Sequence, residues 1–134
     1  MSFVIEKDWT TKVGYRAVVI ITPMGHRCGY VGVPVGNQHH GKKYDDVPVN
    51  VHGGLTYSTG KSDYPVPSDD LWWLGYDCLH VGDAPDPELR SDKYKKMYAS
   101  GMLSETIFED DVIRTLEYCI GECESLAKQL KEAT

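Results

Sequence analysis

The strand-like segments of this chain all precede a single long segment with the periodicity of an amphipathic helix. Near the C-terminus, apolar residues recur every three or four positions, which is the spacing of one buried helix face. This stripe comprises Val112, Ile113, Leu116, Cys119, Ile120, Cys123, Leu126, Ala127 and Leu130. Three acids, Glu109, Asp110 and Asp111, come just before it, where a helix dipole favours negative charge. Because strands and helices do not alternate, the sequence predicts an α+β fold, with an antiparallel sheet of about five strands packed against a long C-terminal helix.

A β-hairpin is predicted over residues 13–35. Its first arm, residues 14–22, is rich in β-branched side chains, and its second arm, residues 28–35, continues in the same style. Residues 23–26 supply a turn between the arms, with Gly25 able to adopt a positive φ. Both sides of the first arm are apolar, so we expect a central strand that is covered on both faces.

Two further strand regions and a short helix follow the hairpin. A second hairpin is predicted because apolar and polar residues alternate through residues 49–58. The alternation is interrupted by Gly53 and Gly54, a pair typical of a bulge, a tight bend or a close approach to the backbone. The most aromatic strand is predicted at residues 71–81, and a short helix at residues 92–99.

The length of 134 residues predicts one domain, spanning residues 1–134. With 41% hydrophobic and 25% charged residues, the composition is that of a folded domain. A domain of this size needs no disulfide to fold, so we expect the cysteines to be reduced thiols, with those of the stripe packed in the core. The cysteines are Cys28, Cys78, Cys119 and Cys123. No apolar run reaches the ~20 residues that cross a bilayer and no secretory signal is recognisable, so we expect a cytoplasmic protein without a membrane partner.

The charge of the chain is uneven. The formal net charge of −6 argues against a broadly basic nucleic-acid surface. Most of that charge lies in residues 105–134, where eight acids and three bases give −5. The first 104 residues, with twelve acids and eleven bases, carry only −1. A local pocket for a small anion is therefore compatible with the composition.

Histidines and basic residues concentrate in the loops of this nearly neutral part. Cations beside aromatic rings are typical of a site for an anionic, ring-bearing molecule such as a nucleotide. The candidate ligand-binding residues are His26, Arg27, His39, His40, Lys42, Lys43, His52 and Tyr57. The alternative is that the His-Lys loops are solvated and the aromatic rings belong to the core.

A second group of candidate residues lies in and near residues 77–83. His52, Asp77, His80 and Asp83 could supply metal ligands or an Asp–His acid–base pair. In a regular strand, however, Asp77 and His80 point to opposite faces, which favours structural roles for both. The chain also lacks the HExxH, paired CxxC, EF-hand and GxSxG motifs. A conventional enzyme is therefore not favoured, and no cofactor is predicted.

Three segments stand out as motifs: GYVGVP at residues 29–34, VHGGLTY at residues 51–57 and WWLGYDCLHVGD at residues 72–83. Together with LEY and ECESLA in the C-terminal helix, they resemble a recurrent set in small uncharacterised proteins of tailed bacteriophages and prophages. The resemblance covers most of the chain from Gly29 onward. It implies a phage-borne protein in a bacterial cytoplasm and assigns no catalytic residues. Where members of the group have GHPLYG in the first polar loop, this chain has GNQHHG at residues 36–41.

These observations predict a phage-encoded, non-catalytic binding protein, such as a counter-defence factor that sequesters a nucleotide-type signal or blocks a host protein. The expected partner is a small anionic molecule or a host protein. The alternative function is a small metal-dependent hydrolase that uses the four candidate ligands above. A third hypothesis is an interaction module that forms a homo-oligomer through Trp72, Trp73 and their neighbours.

Overall fold

The computed structural model describes residues 3–105 and 107–132, which contain a five-stranded antiparallel sheet and a long C-terminal helix. This confirms the predicted α+β fold. The strands lie in the order β1-β2-β3-β5-β4. Their bounds are Val4–Thr10 (β1), Arg16–Ile21 (β2), Arg27–Val33 (β3), Tyr57–Thr59 (β4) and Trp72–Asp77 (β5).

Two short strands and two α-helices follow the sheet in sequence. Strand β6, Asp83–Ala84, pairs in parallel with β7, Val112–Ile113. Helix α1 covers Asp92–Ala99, as the sequence predicts, and the Ser91 side chain caps it by accepting the Tyr94 N–H. Helix α2 covers Leu116–Glu132. Over the described residues, no helix has both the length and the apolar character that crossing a bilayer requires.

The first predicted hairpin is confirmed as β2 and β3. Along β2, Ala17 and Val19 face one side of the sheet and Val18 and Ile20 the other, and all four are buried. Burying each such side chain stabilises the fold by about 1–3 kcal/mol. In the turn, Gly25 has a φ of +96°, and a Cβ there would overlap the Asp86 carbonyl, so glycine is required. The strand is therefore central and covered on both faces, as expected.

The two faces of the sheet have different covers. Helix α2 packs across β2 and β3, and its Cys119, Cys123 and Leu126 lie in the same core as Tyr76 and Cys78 of the sheet side. The opposite face is covered by the loop after β4. The four cysteines are buried free thiols, which confirms their predicted place in the core.

The predicted start of the C-terminal helix is wrong. Helix α2 begins at Leu116 and not near Val112, because Thr115 ends the preceding strand segment and its hydroxyl accepts the Tyr118 N–H as a cap. Val112 and Ile113 are exposed in β7 and only happen to be in phase with the helical stripe.

The second predicted hairpin is also wrong, since only β4 forms a strand there. Residues 49–54 form an irregular segment that packs on α2. Asn50 donates its N–H to Gln129 Oε1 at 2.7 Å and accepts from Gln129 Nε2 at 2.7 Å. Gly53 and Gly54, with φ of +68° and +81°, take the backbone out of strand geometry.

The sheet has two ends that carry the candidate residues. Strands β3 and β5 are antiparallel, with Cys28 opposite Asp77 and Val33 opposite Trp72. We call the end with the β2–β3 turn and the last residue of β5 the His26 end. The opposite end, where residues 34–46 leave β3 and β5 begins, is the Trp72 end.

Candidate metal centre

A tight loop at the His26 end begins where β5 stops at Asp77. The Asp77 carboxylate accepts the Leu79 N–H at 3.0 Å, and the Asp83 N–H donates to the His80 carbonyl at 2.9 Å. These bonds turn the chain out of the sheet, so the predicted strand through residue 81 is wrong. The expectation that Asp77 and His80 face opposite ways fails with it, because alternation ends with the strand. His80 Nδ1 lies 3.4 Å from Asp77 Oδ1.

Asp83 is the centre of the hydrogen-bond network in this loop. Its side chain is 1% exposed. Its carboxylate accepts His52 Nε2 at 2.9 Å, Arg114 Nε at 2.8 Å and the His80 N–H at 3.0 Å. Burial acts to raise the pKa of Asp83, but the hydrogen bonds from His52 and Arg114 outweigh it and lower the pKa. The carboxylate is therefore ionised at neutral pH.

His52 joins this loop to helix α2. Its backbone N–H donates to Glu122 Oε1 at 2.7 Å, which fixes residue 52 on the helix. Its ring has a partner at each nitrogen, with Asp83 at Nε2 and the Tyr118 hydroxyl at Nδ1, 2.8 Å away. Because Nε2 faces a carboxylate, it carries the proton, and Nδ1 accepts from Tyr118.

Gly53 provides the space for the third ring of the cluster. A Cβ at Gly53 would overlap the ring of His80. The close approach to the backbone that the glycine pair indicated in the sequence is therefore the approach of His80. The absence of a side chain at residue 53 lets the His52 and His80 rings come within 6.0 Å, centre to centre.

Three potential ligand atoms converge at this point. One atom each from His52, His80 and Asp83 lie within 4.8 Å of one another. Asp83 Oδ2 is 2.9 Å from His52 Nε2 and 3.7 Å from His80 Nδ1. Ligand atoms around a tetrahedral Zn²⁺ with bonds of ~2.0–2.1 Å lie about 3.3 Å apart, between these two values. His80 Nδ1 is buried and makes no hydrogen bond to the described residues. Asp77, the fourth candidate, is beside His80 but outside this group.

A cleft of about 340 Å³ opens beside the cluster. His80 and Asp83 form part of its wall, and so do Ser104, Glu105, Ile107, Phe108 and Asp111. The cluster, in which only Asp83 is buried, is thus in contact with a space that a small molecule can enter.

Two of the predicted ligand-binding residues, His26 and Arg27, also lie at the His26 end, but their side chains contact other parts of the protein. His26 Nδ1 is 3.1 Å from the Cys78 carbonyl, and burial lowers the pKa of His26. Arg27 donates to Glu6 Oε1 at 2.6 Å and to the Arg114 carbonyl at 3.0 Å. Both side chains are therefore engaged within the protein.

Four other predicted residues lie at the Trp72 end. From Arg27 to Val33 the strand advances by about 20 Å at ~3.3 Å per residue, so these residues do not join the His26 end. His39 is buried, which lowers its pKa, and His40 Nε2 is 2.8 Å from the Asp70 carbonyl. Lys42 and Lys43 are exposed. The predicted binding set is therefore divided between the two ends.

Tyr57, the last of the predicted set, lies on a third surface. Its ring packs edge-to-face with Tyr30 and Tyr64 at 5.9 and 5.7 Å. These three rings line a cleft of about 720 Å³ that also includes Lys61 and Asp63. We call it the tyrosine cleft.

Trp72 and Trp73, on which the oligomer hypothesis depends, both form hydrogen bonds within the chain. Trp73 is fully buried and donates its indole N–H to Ser68. Trp72 donates its indole N–H to the Lys42 carbonyl at 2.7 Å. Trp73 therefore offers no surface to a second copy.

No local sequence pattern indicates the partners of the cluster on the α2 side. Tyr118 and Glu122 were part of the predicted helix, and Arg114 was a charge among acids. Their contacts with His52 and Asp83 join residues 31 to 70 positions apart, a separation that no local pattern reports.

Comparison with known proteins finds no matching family model, no matching curated protein and no matching solved structure. What the protein does must be inferred from the geometry of its own residues.

Proposed function

We propose that the protein binds a divalent transition metal, best matched by Zn²⁺, through His52, His80 and Asp83, and uses it to hydrolyse a small substrate. The observation that carries this proposal is the convergence of two imidazoles and a carboxylate within 4.8 Å at the wall of a cleft. Two nitrogens and one oxygen are a ligand set typical of catalytic zinc, which keeps its fourth position for water or substrate.

The partners of the cluster suit ligation. A metal-bound histidine needs its other ring nitrogen held, and Tyr118 holds Nδ1 of His52. When the metal replaces the proton at Nε2, Nδ1 becomes the donor and the Tyr118 hydroxyl accepts, since a hydroxyl does both. The His80 N–H and Arg114 orient the Asp83 carboxylate in the same way.

Arg114 also lowers the affinity of the cluster for a divalent metal ion. Its guanidinium already neutralises part of the Asp83 charge, with Nε 2.8 Å from Oδ1. A divalent cation at Oδ2 would be repelled by that positive charge. We therefore expect Arg114→Gln to bind metal more tightly than the wild type, whereas loss of a ligand weakens binding.

Calorimetric titration of chelator-treated protein with ZnCl₂ tests the proposal. The wild type should bind one equivalent, and His80→Ala should weaken binding at least about tenfold. His40→Ala is the matched control, because it removes a histidine that contacts the Asp70 carbonyl at the Trp72 end. Equal Zn²⁺ affinity of His80→Ala and the wild type, with both folded by circular dichroism, would rule out this site.

A second candidate function is sequestration of a ring-bearing small molecule in the tyrosine cleft. The observation that favours it is the set of four tyrosines, Tyr30, Tyr57, Tyr64 and Tyr76, around a space of about 720 Å³, where flat ligands could stack. The resemblance to phage proteins implies only a setting, a bacterial cytoplasm, and a counter-defence role there is part of this second proposal. Lys61 would contact an anionic group of the ligand.

Thermal stability in the presence of nucleotides tests this second candidate. A ligand at 100 times its Kd stabilises the native state by about 2.7 kcal/mol, which raises the melting temperature measurably. Tyr57→Ala should abolish the shift, and Tyr44→Ala, a tyrosine outside this cleft, should retain it. No shift with any nucleotide at millimolar concentration would count against sequestration.

A further inference from the structure

The cleft beside the His52–His80–Asp83 cluster contains a group of exposed apolar side chains. The described residues expose twelve large apolar side chains, and five of them line this one cleft. They are Met24, Leu79, Val81, Ile107 and Phe108. Scattered exposed apolar residues are normal, but a contiguous group marks a surface that binds something.

The charged groups of the cleft are all acidic. Its described lining residues include Asp83, Glu105 and Asp111 but no lysine or arginine. Glu105 is paired with Arg90, whose side chain is 3% exposed and lies behind the wall. Asp111 accepts the Phe108 N–H through its carboxylate. A phosphate or carboxylate group would therefore meet mostly apolar side chains in the cleft, with no lysine or arginine among its described lining residues to bind it.

We propose that the cleft binds the uncharged apolar part of an amide or ester, with the scissile carbonyl at His80 and Asp83. This inference rests on the proposed metal site and names its substrate class. In the hydrolysis, the oxygen of water bonds to the carbonyl carbon and the C–N or C–O bond breaks. One proton of the water goes to the leaving amine or alcohol and the other leaves the new carboxylic acid to solvent, so atoms balance without another reactant.

Hydroxamates test the substrate class without turnover, because a hydroxamate chelates Zn²⁺ and carries a variable side group. Titration of Zn²⁺-loaded protein should show benzohydroxamate binding about tenfold or more tighter than acetohydroxamate, through burial of the phenyl ring in the cleft. Inorganic phosphate should bind more weakly than either.

Exposed wall residues supply variants that leave the fold intact. Phe108→Ser and Leu79→Ser together should reduce the preference for benzohydroxamate to less than about threefold while the Zn²⁺ affinity stays unchanged. Val35→Ser, an exposed apolar residue at the Trp72 end, is the control and should retain the preference.

The outcomes separate the two proposals. If Zn²⁺ does not bind, the proposed function fails and this inference fails with it. If Zn²⁺ binds but the two hydroxamates bind equally, or phosphate binds best, the metal site stands and the substrate class is wrong. A preference that the double variant does not reduce also overturns it, because the phenyl ring would then lie elsewhere.

Discussion

The two ends of the sheet both contain histidines and charged residues, yet they differ in how those residues are held. At the His26 end, three segments distant in sequence meet: residues 49–54, residues 77–83 and the start of α2. The buried Asp83 carboxylate there requires hydrogen-bond partners. It accepts from the side chains of His52 and Arg114 and from the His80 backbone N–H. At the Trp72 end, one polar loop covers the strand ends and its lysines face solvent. The candidate ligands are brought together by the convergence of distant segments, and not by a high local density of histidine and lysine in the sequence.

The largest expected effect comes from removing the carboxylate at the His26 end. Asp83→Asn should destabilise the protein by about 3 kcal/mol, because it leaves the Arg114 guanidinium facing an amide that cannot neutralise it. The matched control at the Trp72 end is Asp70→Asn. Asp70 is exposed and binds His40 through its backbone carbonyl, so we expect a change within about 0.5 kcal/mol. Urea denaturation at pH 7 measures both, and equal losses would show that the ends do not differ.

The next largest difference in stability between the two ends is expected at a pair of glycines. Gly53 and Gly41 both have positive φ, +68° and +85°, so alanine at either residue costs about 1 kcal/mol in backbone strain. At Gly53 the new Cβ would also overlap His80, whereas at Gly41 it meets open space. Gly53→Ala should therefore lose about 2–3 kcal/mol in total and weaken Zn²⁺ binding, and Gly41→Ala should do neither beyond the strain. Equal unfolding free energies would contradict the close approach of His80.

A smaller effect on stability is expected at the ion pair between Glu105 and Arg90 beside the cleft. Glu105 holds Arg90, which also donates to the Met24 carbonyl and stacks on Tyr98 at 3.7 Å. Glu105→Gln should cost about 1 kcal/mol at pH 7, a modest value because Glu105 itself is 42% exposed.

The same variant gives a pH test with a definite sign. The hydrogen bond from Arg90 lowers the pKa of Glu105. The stabilisation is therefore present above the ordinary range of a glutamate and is lost as the pH falls through the lowered folded-state pKa. The difference between wild type and Glu105→Gln in urea denaturation should shrink toward zero in acid; a difference that grows there would contradict the pairing.

The smallest effect on stability is expected at Tyr118. Its side chain is partly exposed, so Tyr118→Phe should change the free energy of unfolding by about 0.5 kcal/mol or less. Zn²⁺ affinity should nevertheless fall several-fold, because His52 Nδ1 loses the partner that orients the ring. Tyr15→Phe, at the other end, should leave Zn²⁺ affinity unchanged. Calorimetry that finds no difference between the two variants would remove Tyr118 from the site.

The parts of the fold that could be predicted are those with a strong local pattern. The apolar arm of β2 indicated a central strand, and the stripe from Cys119 to Leu130 indicated a helix on a core. The prediction failed where tertiary contacts replaced the pattern. The carboxylate of Asp77 ends β5 by binding a backbone N–H two residues on, which no alternation of side chains reports.

The candidate site was only half predictable for the same reason. His52, His80 and Asp83 could be named from their chemistry, but Tyr118 and Arg114 could not. Strand alternation predicts that Asp77 and His80 face opposite ways, although their side chains lie 3.4 Å apart. The cationic set from His26 to Lys43 was grouped by sequence proximity, and a strand of seven residues separates its halves.

The most direct test is the anomalous scattering of a crystal of the protein grown with Zn²⁺. The account predicts one zinc peak at the His26 end, about 2.0–2.2 Å from His52 Nε2, His80 Nδ1 and an oxygen of Asp83. A peak at His39 or His40 of the Trp72 end, with none at Asp83, would contradict it.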